Sequence, residues 1–214
     1  MRLGAGGPKA LVELAGRPLV AWSLDACAAA RSITSAVVAA PADLVAEVEE
    51  ALRGAPLPVR VVAGGEARSE SVSAAVAEVE SEIVVVHDGA RPLVMGELID
   101  SVVSDLVADA ECDCVLAATP VTDTVKQVEG REVQRTLDRS RLWAAQTPQA
   151  FRSQALRRAL AASESLADAT DDAMLVELIG GRVIVHDAPP DNLKVTTPRD
   201  LRMASLLLAE RAAG

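Results

Sequence analysis

Two patterns of hydrophobic positions alternate along the chain. In some segments several apolar residues follow one another directly, and in others apolar residues recur every three or four positions. The first pattern is typical of buried strands and the second of amphipathic helices. Residues 83–86 show the strand pattern most clearly, because all four are Ile or Val, as in a parallel strand that is buried on both faces.

This alternation predicts an α/β protein with one domain, residues 1–214. The predicted strands are 33–40, 58–63, 83–86, 115–120, 142–146 and 182–186. The predicted helices are 17–31, 43–53 with Asp43 as its cap, 69–80, 96–110, 153–162, 171–179 and a last helix from Pro198. Strands and helices in alternation indicate a doubly wound, mostly parallel, Rossmann-like sheet. Because such sheets bind ligands beyond the carboxyl ends of their strands, functional motifs should follow strands.

Residues 121–141 interrupt the alternation. This segment is polar, contains β-branched residues and carries a Glu129-Gly130 pair that is typical of a turn. We therefore predict a β-hairpin that projects from the main body, and we call residues 121–141 the arm.

Composition and charge narrow the possible partners. The chain has a formal net charge of −10, which disfavours a nucleic-acid polymer as partner because phosphate neutralisation needs a basic face. A small anion can still bind where positive charge is gathered locally. No segment has the pattern of a secretory signal or the length of a membrane span, so we expect a cytoplasmic protein without a membrane partner. The cysteines Cys27, Cys112 and Cys114 are expected to be structural thiols.

The first candidate motif is glycine-rich and lies at the start of the chain, in residues 4–9 (GAGGPK). Glycines let backbone amides approach an anion closely, and Arg2 and Lys9 add positive charge. The spacing matches neither a P-loop nor a dinucleotide-binding fingerprint. An anion-binding loop and a flexible terminus both remain open as interpretations.

The second motif runs from a predicted strand into a predicted helix, in residues 63–71 (AGGEARSES). The backbone of Gly64 and Gly65 could contact the flat edge of a ligand, and Ser69 or Ser71 could donate a hydrogen bond. A plain turn followed by a helix cap explains the same residues equally well.

The third motif, residues 86–92 (VHDGARP), directly follows the buried strand 83–86. An Asp at this place suits a divalent cation, since Mg²⁺ usually takes one or two carboxylates together with phosphate oxygens. Arg91 offers a planar fork for a phosphate. Asp88 and Arg91 could also simply pair with each other.

Two further motifs follow later strands. Residues 191–196 (DNLKVT) join Asp191 to Lys194, one of only three lysines among the 21 basic residues of the chain. Residues 136–149 combine Arg139 and Arg141 with Thr147. By themselves these motifs could be a solvated charge pair and a strand edge.

The charged groups lack a nucleophile with a partner base. His87 and His186 each follow a strand beside an Asp, and we expect them to make structural hydrogen bonds. No Ser-His-Asp or Cys-His pattern is present. Fixed charge without a nucleophile suits phosphoryl or nucleotidyl transfer, in which the protein positions the reactants and neutralises charge.

The ordered set of motifs resembles the 2-C-methyl-D-erythritol 4-phosphate cytidylyltransferase family of non-mevalonate isoprenoid biosynthesis. The match covers Arg2 to the end of the chain through "RLGAGGPKAL", "GGEARSESV", "HDGARP", "PVTDTVK", "LDRSRLWAAQTPQAF", "TDDAMLVE" and "DNLKVTTPRDL". The resemblance implies a fold of the nucleotide-diphospho-sugar transferase type. It also implies that CTP and methylerythritol 4-phosphate give 4-diphosphocytidyl-2-C-methyl-D-erythritol and pyrophosphate, by in-line attack of the acceptor phosphate on the α-phosphorus.

The resemblance also implies a role for each motif. Implied catalytic residues are Arg2, Lys9 and Lys194. Implied nucleotide-binding residues are Gly64, Gly65, Ser71, Asp88 and Gly89. Implied acceptor-binding residues are Arg91, Thr124, Arg139, Thr147 and Lys194. Asp88 and Asp191 would serve a Mg²⁺ ion, and the arm would reach across a homodimer to complete the partner's site. Lys126, on the arm, is assigned no chemistry.

The sequence departs from the family at its beginning. Family members carry a hydrophobic strand and an Ala-Ala-Gly turn before the position of Arg2, and this chain does not. We therefore expect the native protein to begin upstream and the present chain to be weakly active or inactive. The alternatives are a ribitol 5-phosphate cytidylyltransferase and a non-catalytic CTP-binding relative. A nicotinamide-dependent dehydrogenase is disfavoured because its fingerprint is missing.

Overall fold

The computed structural model describes residues 11–162 and 169–213. Its strands are β1 Glu13–Leu14, β2 Arg17–Pro18, β3 Ala36–Ala40, β4 Val59–Ala63, β5 Ile83–Val86, β6 Cys114–Pro120, β7 Lys126–Glu129, β8 Glu132–Thr136, β9 Trp143–Arg152 and β10 Val183–Asp187. Its helices are α1 Leu19–Ala29, α2 Val45–Ala51, α3 Arg68–Ala77, α4 Gly96–Ala108, α5 Ser153–Ala161, α6 Asp172–Leu178 and α7 Pro198–Ala213. Short 3₁₀ turns lie at Ala42–Leu44 and Arg139–Arg141.

The largest sheet has the strand order β10-β6-β9-β5. β10 pairs with β6 in parallel, whereas β9 runs antiparallel to both of its neighbours. Three of the four strands thus share one direction. β3 and β4 form a separate parallel pair. The predicted α/β class with a mostly parallel sheet is confirmed.

Side chains alternate between the two faces of β6 and divide the core in two. Cys114, Leu116 and Ala118 belong to a cluster with Phe151 and the helices α5 and α6. Val115 and Ala117 belong to a second cluster, with α4. This period of two is what a strand covered on both faces requires.

Small residues let the helices come close together in this core, which contains few aromatic side chains. A Cβ atom on Gly96 would lie 2.9 Å from backbone atoms of Ala29 and Ala30. Glycine at this position therefore permits the start of α4 to contact the end of α1.

β9 is longer than predicted and contains an irregularity that matters for the site. Leu116 pairs with Gln149 and Ala118 pairs with Ala145, so residues 146–148 of β9 oppose the single residue Ala117. Such a bulge bends a strand and redirects its side chains. The prediction ended this strand early because a Gln-Thr-Pro-Gln run is polar and Pro cannot donate to a sheet.

The arm is a hairpin of β7 and β8, as predicted. The two strands are antiparallel, every one of their residues is exposed, and Gly130 has a positive φ of 58° at the predicted turn. Val128 and Val133 are apolar yet about half exposed. The chain returns to the sheet at Trp143, whose side chain is 39% exposed.

One local prediction was wrong, and one hairpin was not predicted. The helix that was expected from residue 43 begins as the turn Ala42–Leu44, and neither this turn nor α2 is capped by a side-chain hydrogen bond from Asp43. The β1–β2 hairpin was missed because Ala15, at a φ of 52°, occupies a turn position that usually carries Gly or Asn. Among the helices of the described residues, none is both long and apolar enough to cross a membrane.

Candidate functional site

Three motifs that are far apart in sequence meet at the carboxyl end of β5. The loop of residues 87–91 follows β5 directly, and the backbone amide of Val195 donates to the Ala90 carbonyl at 2.8 Å. The bulge of β9 approaches the same loop, since the backbone amide of Asp88 donates to Thr147 Oγ1 at 3.0 Å. The expected position of the site beyond a strand end is therefore met for these motifs.

Asp88 is surrounded by three cationic side chains. Lys194 Nζ lies 2.8 Å from Asp88 Oδ2, Arg91 Nε lies 3.7 Å from the same oxygen, and Arg68 Nη2 lies 3.7 Å from Oδ1. Burial by itself would raise the pKa of Asp88, but the hydrogen bond and charge of Lys194, with the charges of Arg68 and Arg91, lower that pKa below its ordinary value. Asp88 is therefore a carboxylate, held ionised by its cations, at neutral pH.

Thr147 and His87 fix the loop that carries Asp88. His87 Nε2 lies 3.2 Å from the Arg91 carbonyl oxygen, which can only accept, so we place a proton on Nε2. His87 Nδ1 then accepts from Thr147 Oγ1 at 3.1 Å. Burial lowers the pKa of His87 to about 4, so its ring is neutral near pH 7. The predicted structural hydrogen bonds of His87 are present.

We predict that Thr147→Val destabilises the protein by about 2 kcal/mol. Valine has a similar shape but cannot accept from Asp88 or donate to His87, and leaving buried polar groups unpaired costs ~1–3 kcal/mol. Urea unfolding measures the change. Thr136→Val is the matched control, because Thr136 lies on the exposed arm, and it should stay within about 0.5 kcal/mol. Equal stabilities of the two variants would contradict the bridging role.

A buried network joins the loop of Asp88 to the segment that carries Lys194. Arg91 Nη1 donates to the Asn192 carbonyl at 2.7 Å. The Asn192 side-chain amide donates to Gln146 Oε1 and to the Thr147 carbonyl, both at 2.8 Å. Arg91 is only 8% exposed. One edge of its guanidinium, which was predicted to bind the acceptor, is therefore already engaged by the Asn192 carbonyl within the fold. Asn192 was not singled out by the sequence analysis, because an amide pairing of this kind leaves no pattern along the chain.

The second motif lies where β4 passes into α3. The backbone amide of Gly64 donates to the Ala40 carbonyl at 2.7 Å, so that amide is already engaged. A Cβ atom on Gly64 would lie 2.6 Å from Ser71 Oγ, and one on Gly65 would lie 2.3 Å from Glu70 Cβ. Glu70 accepts from the Ala67 amide at 3.0 Å and caps the helix start. The two glycines are therefore required by the packing of this turn, whichever ligand it binds.

Other predicted site residues lie apart from this cluster. Arg139 donates to the Thr122 carbonyl within the arm, and Thr124 is exposed there. Within the described part of the chain, no ion pair or hydrogen bond joins either residue to Asp88. Gly89, in contrast, lies in the loop directly beside Asp88. Arg2 and Lys9 lie outside the described residues, and their predicted roles stay predictions.

A metal site would depend mainly on Asp88. Asp191 is exposed, and the described residues contain no group of three or more His, Cys, Asp or Glu side chains that could hold a metal ion. The carboxylate of Asp88 fits a Mg²⁺ ion that arrives with phosphate oxygens as its other ligands. The three cationic side chains around Asp88 repel a metal ion. Binding of Mg²⁺ without phosphate oxygens as further ligands is therefore disfavoured.

The pairing of Arg68 with Asp172 was not predicted from the sequence. Arg68 Nη1 lies 2.7 Å from Asp172 Oδ2, although 104 positions separate the two residues. Both residues lie within motifs quoted above, and a charged residue at the start of each of two helices was the available signal. The sequence holds no information on which charges meet.

Comparisons with known proteins agree on one family. A family model described as IspD, 2-C-methyl-D-erythritol 4-phosphate cytidylyltransferase, matches residues 1–210. A protein of that name from Prochlorococcus marinus is 44% identical over 99% of this chain and 94% of its own length, and one from Saccharopolyspora erythraea is 44% identical over 98% and 94%. The crystal structure of the Thermus thermophilus enzyme of that name covers 96% of both chains with a TM-score of 0.78 and 33% identity. The structure of a 4-diphosphocytidyl-2C-methyl-D-erythritol synthase from Anaerococcus prevotii covers 94% of this chain and 93% of its own, with a TM-score of 0.83 and 27% identity.

Proposed function

The chain belongs to the 2-C-methyl-D-erythritol 4-phosphate cytidylyltransferase family, and we propose that the Asp88 cluster is its reaction centre. The protein is a nucleotidyltransferase of non-mevalonate isoprenoid biosynthesis. It joins CTP to 2-C-methyl-D-erythritol 4-phosphate and forms 4-diphosphocytidyl-2-C-methyl-D-erythritol and pyrophosphate. The observation that carries the proposal is the contact of Lys194 Nζ with Asp88 Oδ2 at 2.8 Å, at the end of β5.

The reaction needs positioned charge and no protein nucleophile. An oxygen of the acceptor phosphate forms a bond to the α-phosphorus of CTP, while the bond from that phosphorus to the bridging oxygen breaks and pyrophosphate leaves with the electron pair. Negative charge builds up around the α-phosphorus, and fixed cations stabilise it most when they need no rearrangement. Lys194 is 43% exposed, so its ammonium group is held by Asp88 and still accessible to substrate phosphates.

The acceptor contacts are constrained by bonds already made within the fold. Thr147 already donates its hydroxyl hydrogen to His87 and accepts from Asp88, so it can offer an acceptor molecule only its remaining lone pair. Arg91 has one edge on Asn192, and its Nε makes no hydrogen bond among the described residues. Gly64, Gly65 and Ser71 remain the proposed contacts to the cytosine base. Gly89 is proposed to lie against the nucleotide, and Arg2 and Lys9 to bind the triphosphate.

We propose Mg²⁺ as the metal ion that accompanies CTP. Asp88 would be its main protein ligand, with Asp191 nearby in the same segment as Lys194. When bound, the ion would neutralise part of the triphosphate charge and help pyrophosphate to leave.

The acceptor identity is tested by pyrophosphate release. The assay contains CTP, Mg²⁺ and either methylerythritol 4-phosphate or ribitol 5-phosphate. We expect pyrophosphate release with methylerythritol 4-phosphate. Release only with ribitol 5-phosphate, or CTP binding without release, would overturn the proposed acceptor.

We further propose that the arm completes the site of a second copy in a homodimer. Every residue of β7 and β8 is exposed, and the apolar side chains of Val128 and Val133 lie on the surface. Arg139 and Thr124 lie at the base of the arm without a bond to the Asp88 cluster among the described residues. A partner's arm would bring these groups to the acceptor phosphate, which explains why a polar hairpin projects from the fold.

This arrangement predicts complementation between two defective variants. Arg139→Glu should raise the KM for the acceptor at least ~10-fold and leave CTP binding within about twofold, because it reverses a charge that would pair with phosphate. Co-expressed with Lys194→Met and assayed at an acceptor concentration well below the wild-type KM, it should regain about a quarter of the wild-type rate, since half of randomly formed dimers are mixed and each then has one intact site. The purified mixed sample is assayed beside each parent. Turnover no higher than the parents' average would indicate that Arg139 serves its own chain.

We propose a cytoplasmic location. Cys27, Cys112 and Cys114 are free thiols in the structure, and Cys112 Sγ contacts the Cys114 carbonyl oxygen at 3.1 Å instead of forming a disulfide. Unpaired thiols of this kind are typical of a reducing compartment.

A further inference from the structure

The ion pair of Arg68 with Asp172 is not used by any of the roles assigned above. Arg68 is the first residue of α3 and follows the Gly64–Gly65 turn closely, whereas Asp172 is the first residue of α6. Arg68 Nη1 lies 2.7 Å from Asp172 Oδ2, and Arg68 Nη2 lies 3.7 Å from Asp88 Oδ1. The guanidinium thus bridges a carboxylate of the reaction centre and a second carboxylate in the core.

The local fold does not require a charge at Asp172. The side chain of Asp171 caps α6 by accepting from the Met174 amide at 2.9 Å, so the helix start is already satisfied. Asp172 is fully buried, and among the described residues neither of its oxygens accepts a hydrogen bond of normal geometry. Its ion-pair partner is Arg68. A buried carboxylate that is costly to desolvate and unnecessary for capping therefore serves to hold Arg68.

Arg68 itself remains accessible on its other side. Its side chain is 39% exposed, compared with 1% for Asp172 and 17% for Asp88. Arg68 approaches Oδ1 of Asp88 while Lys194 contacts Oδ2, so one cation lies against each oxygen of this carboxylate. A planar guanidinium that is held by one carboxylate and still has 39% of its side chain exposed can bind a phosphate through its remaining N–H groups.

We propose that Asp172 is a positioning residue for the reaction, because it holds Arg68 where the guanidinium receives the phosphates of the incoming nucleoside triphosphate. The inference rests on the proposed reaction centre at Asp88. Without the charge of Asp172, Arg68 keeps Asp88 as its carboxylate partner and pairs with it more closely. The guanidinium then leaves the position from which it receives the phosphates, while Lys194 keeps its contact with the other oxygen of Asp88.

The test is Asp172→Asn, which preserves the shape of the side chain and removes its charge. We expect the Kd and KM for CTP to rise about tenfold, the scale of one lost charge-assisted contact, while kcat falls less than about threefold. Calorimetry measures CTP binding, and pyrophosphate release measures the kinetics. Asp171→Asn is the matched control, because Asp171 caps α6 and accepts from Gln149 Nε2 but makes no direct contact with Arg68 among the described residues. That control should lower stability and leave the KM for CTP unchanged.

A double variant separates positioning from a general structural effect. If Asp172 acts through Arg68, the KM for CTP of Arg68→Met/Asp172→Asn should lie within about twofold of that of Arg68→Met alone. Multiplied effects would overturn the proposal, and so would unchanged CTP binding in Asp172→Asn. If Asp172→Asn does not fold, Arg68→Met provides the test, since normal CTP binding in that variant would also overturn the proposal. A wild-type protein that releases no pyrophosphate would instead overturn the proposed function.

Discussion

Lys194→Met is expected to lower turnover ~100-fold or more, while the Kd for CTP changes by less than about fivefold. The ammonium group is fixed by Asp88 at 2.8 Å before the substrates bind, so it stabilises developing charge without rearranging. Removing one such contact typically costs ~100- to 1,000-fold in kcat. An interaction that strengthens only in the transition state affects kcat more than ground-state binding. Single-turnover pyrophosphate release, with CTP binding measured in parallel, separates the two quantities.

Lys126→Met is the matched control for this variant. Lys126 is the other lysine of the described residues; it lies on the arm, is exposed, and donates to Thr136 Oγ1 at 2.7 Å. Its loss should leave kcat within about twofold, in keeping with the usual small effect of a surface substitution. If both lysine variants retain wild-type turnover, Lys194 has no part in the chemistry. If both lysine variants lose turnover equally, the loss is caused by the change in net charge and not by the position of the lysine.

Asp88→Asn should affect activity and stability together. The variant leaves Lys194, Arg68 and Arg91 around a neutral amide, and removing one partner from a buried charge cluster costs about 3 kcal/mol. Turnover should fall ~100-fold or more, because the ammonium of Lys194 loses its anchor and the proposed metal ion loses its main ligand. Urea unfolding and pyrophosphate release on the same preparation measure both effects.

The control for Asp88→Asn removes a carboxylate that follows a different strand. Asp187 is the last residue of β10 and is exposed, so Asp187→Asn should change neither stability nor turnover appreciably. A stable Asp88→Asn protein with more than half of wild-type turnover would remove Asp88 from the reaction centre. Loss of turnover with full stability would separate the chemical role of Asp88 from its role in the charge cluster.

Sequence alone predicted the elements whose signals are local. The strand Ile83–Val86 was predicted at its observed bounds, because a run of four β-branched residues between polar flanks is too short for a helix and favours a strand. The arm was predicted from a turn pair and two β-branched polar runs. β9 was predicted to end early because its buried half contains Gln146, Thr147 and Pro148, and their polar groups are satisfied only by partners from other segments.

The residues of the candidate site could be predicted from the sequence, but the contacts between them could not. Strand-end logic and family resemblance both selected Asp88 and Lys194, and the fold brings these two side chains into contact. Sequence could not indicate that Thr147 would bridge His87 and the Asp88 amide, or that Arg68 would meet Asp172. Such contacts depend on the register of strands and the packing of helix starts, and those are properties of the folded chain.

The scarcity of aromatic residues has a practical consequence for watching this protein work. Of its two tryptophans, Trp22 donates to the Leu14 carbonyl under the guanidinium of Arg17, whereas Trp143 lies part-exposed where the arm rejoins the sheet. With no tyrosine in the chain, near-ultraviolet emission comes almost entirely from these two indoles. Trp143 is thus an intrinsic fluorescence probe at the base of the arm. A change in its solvation shifts the wavelength of tryptophan emission, so no attached dye is needed.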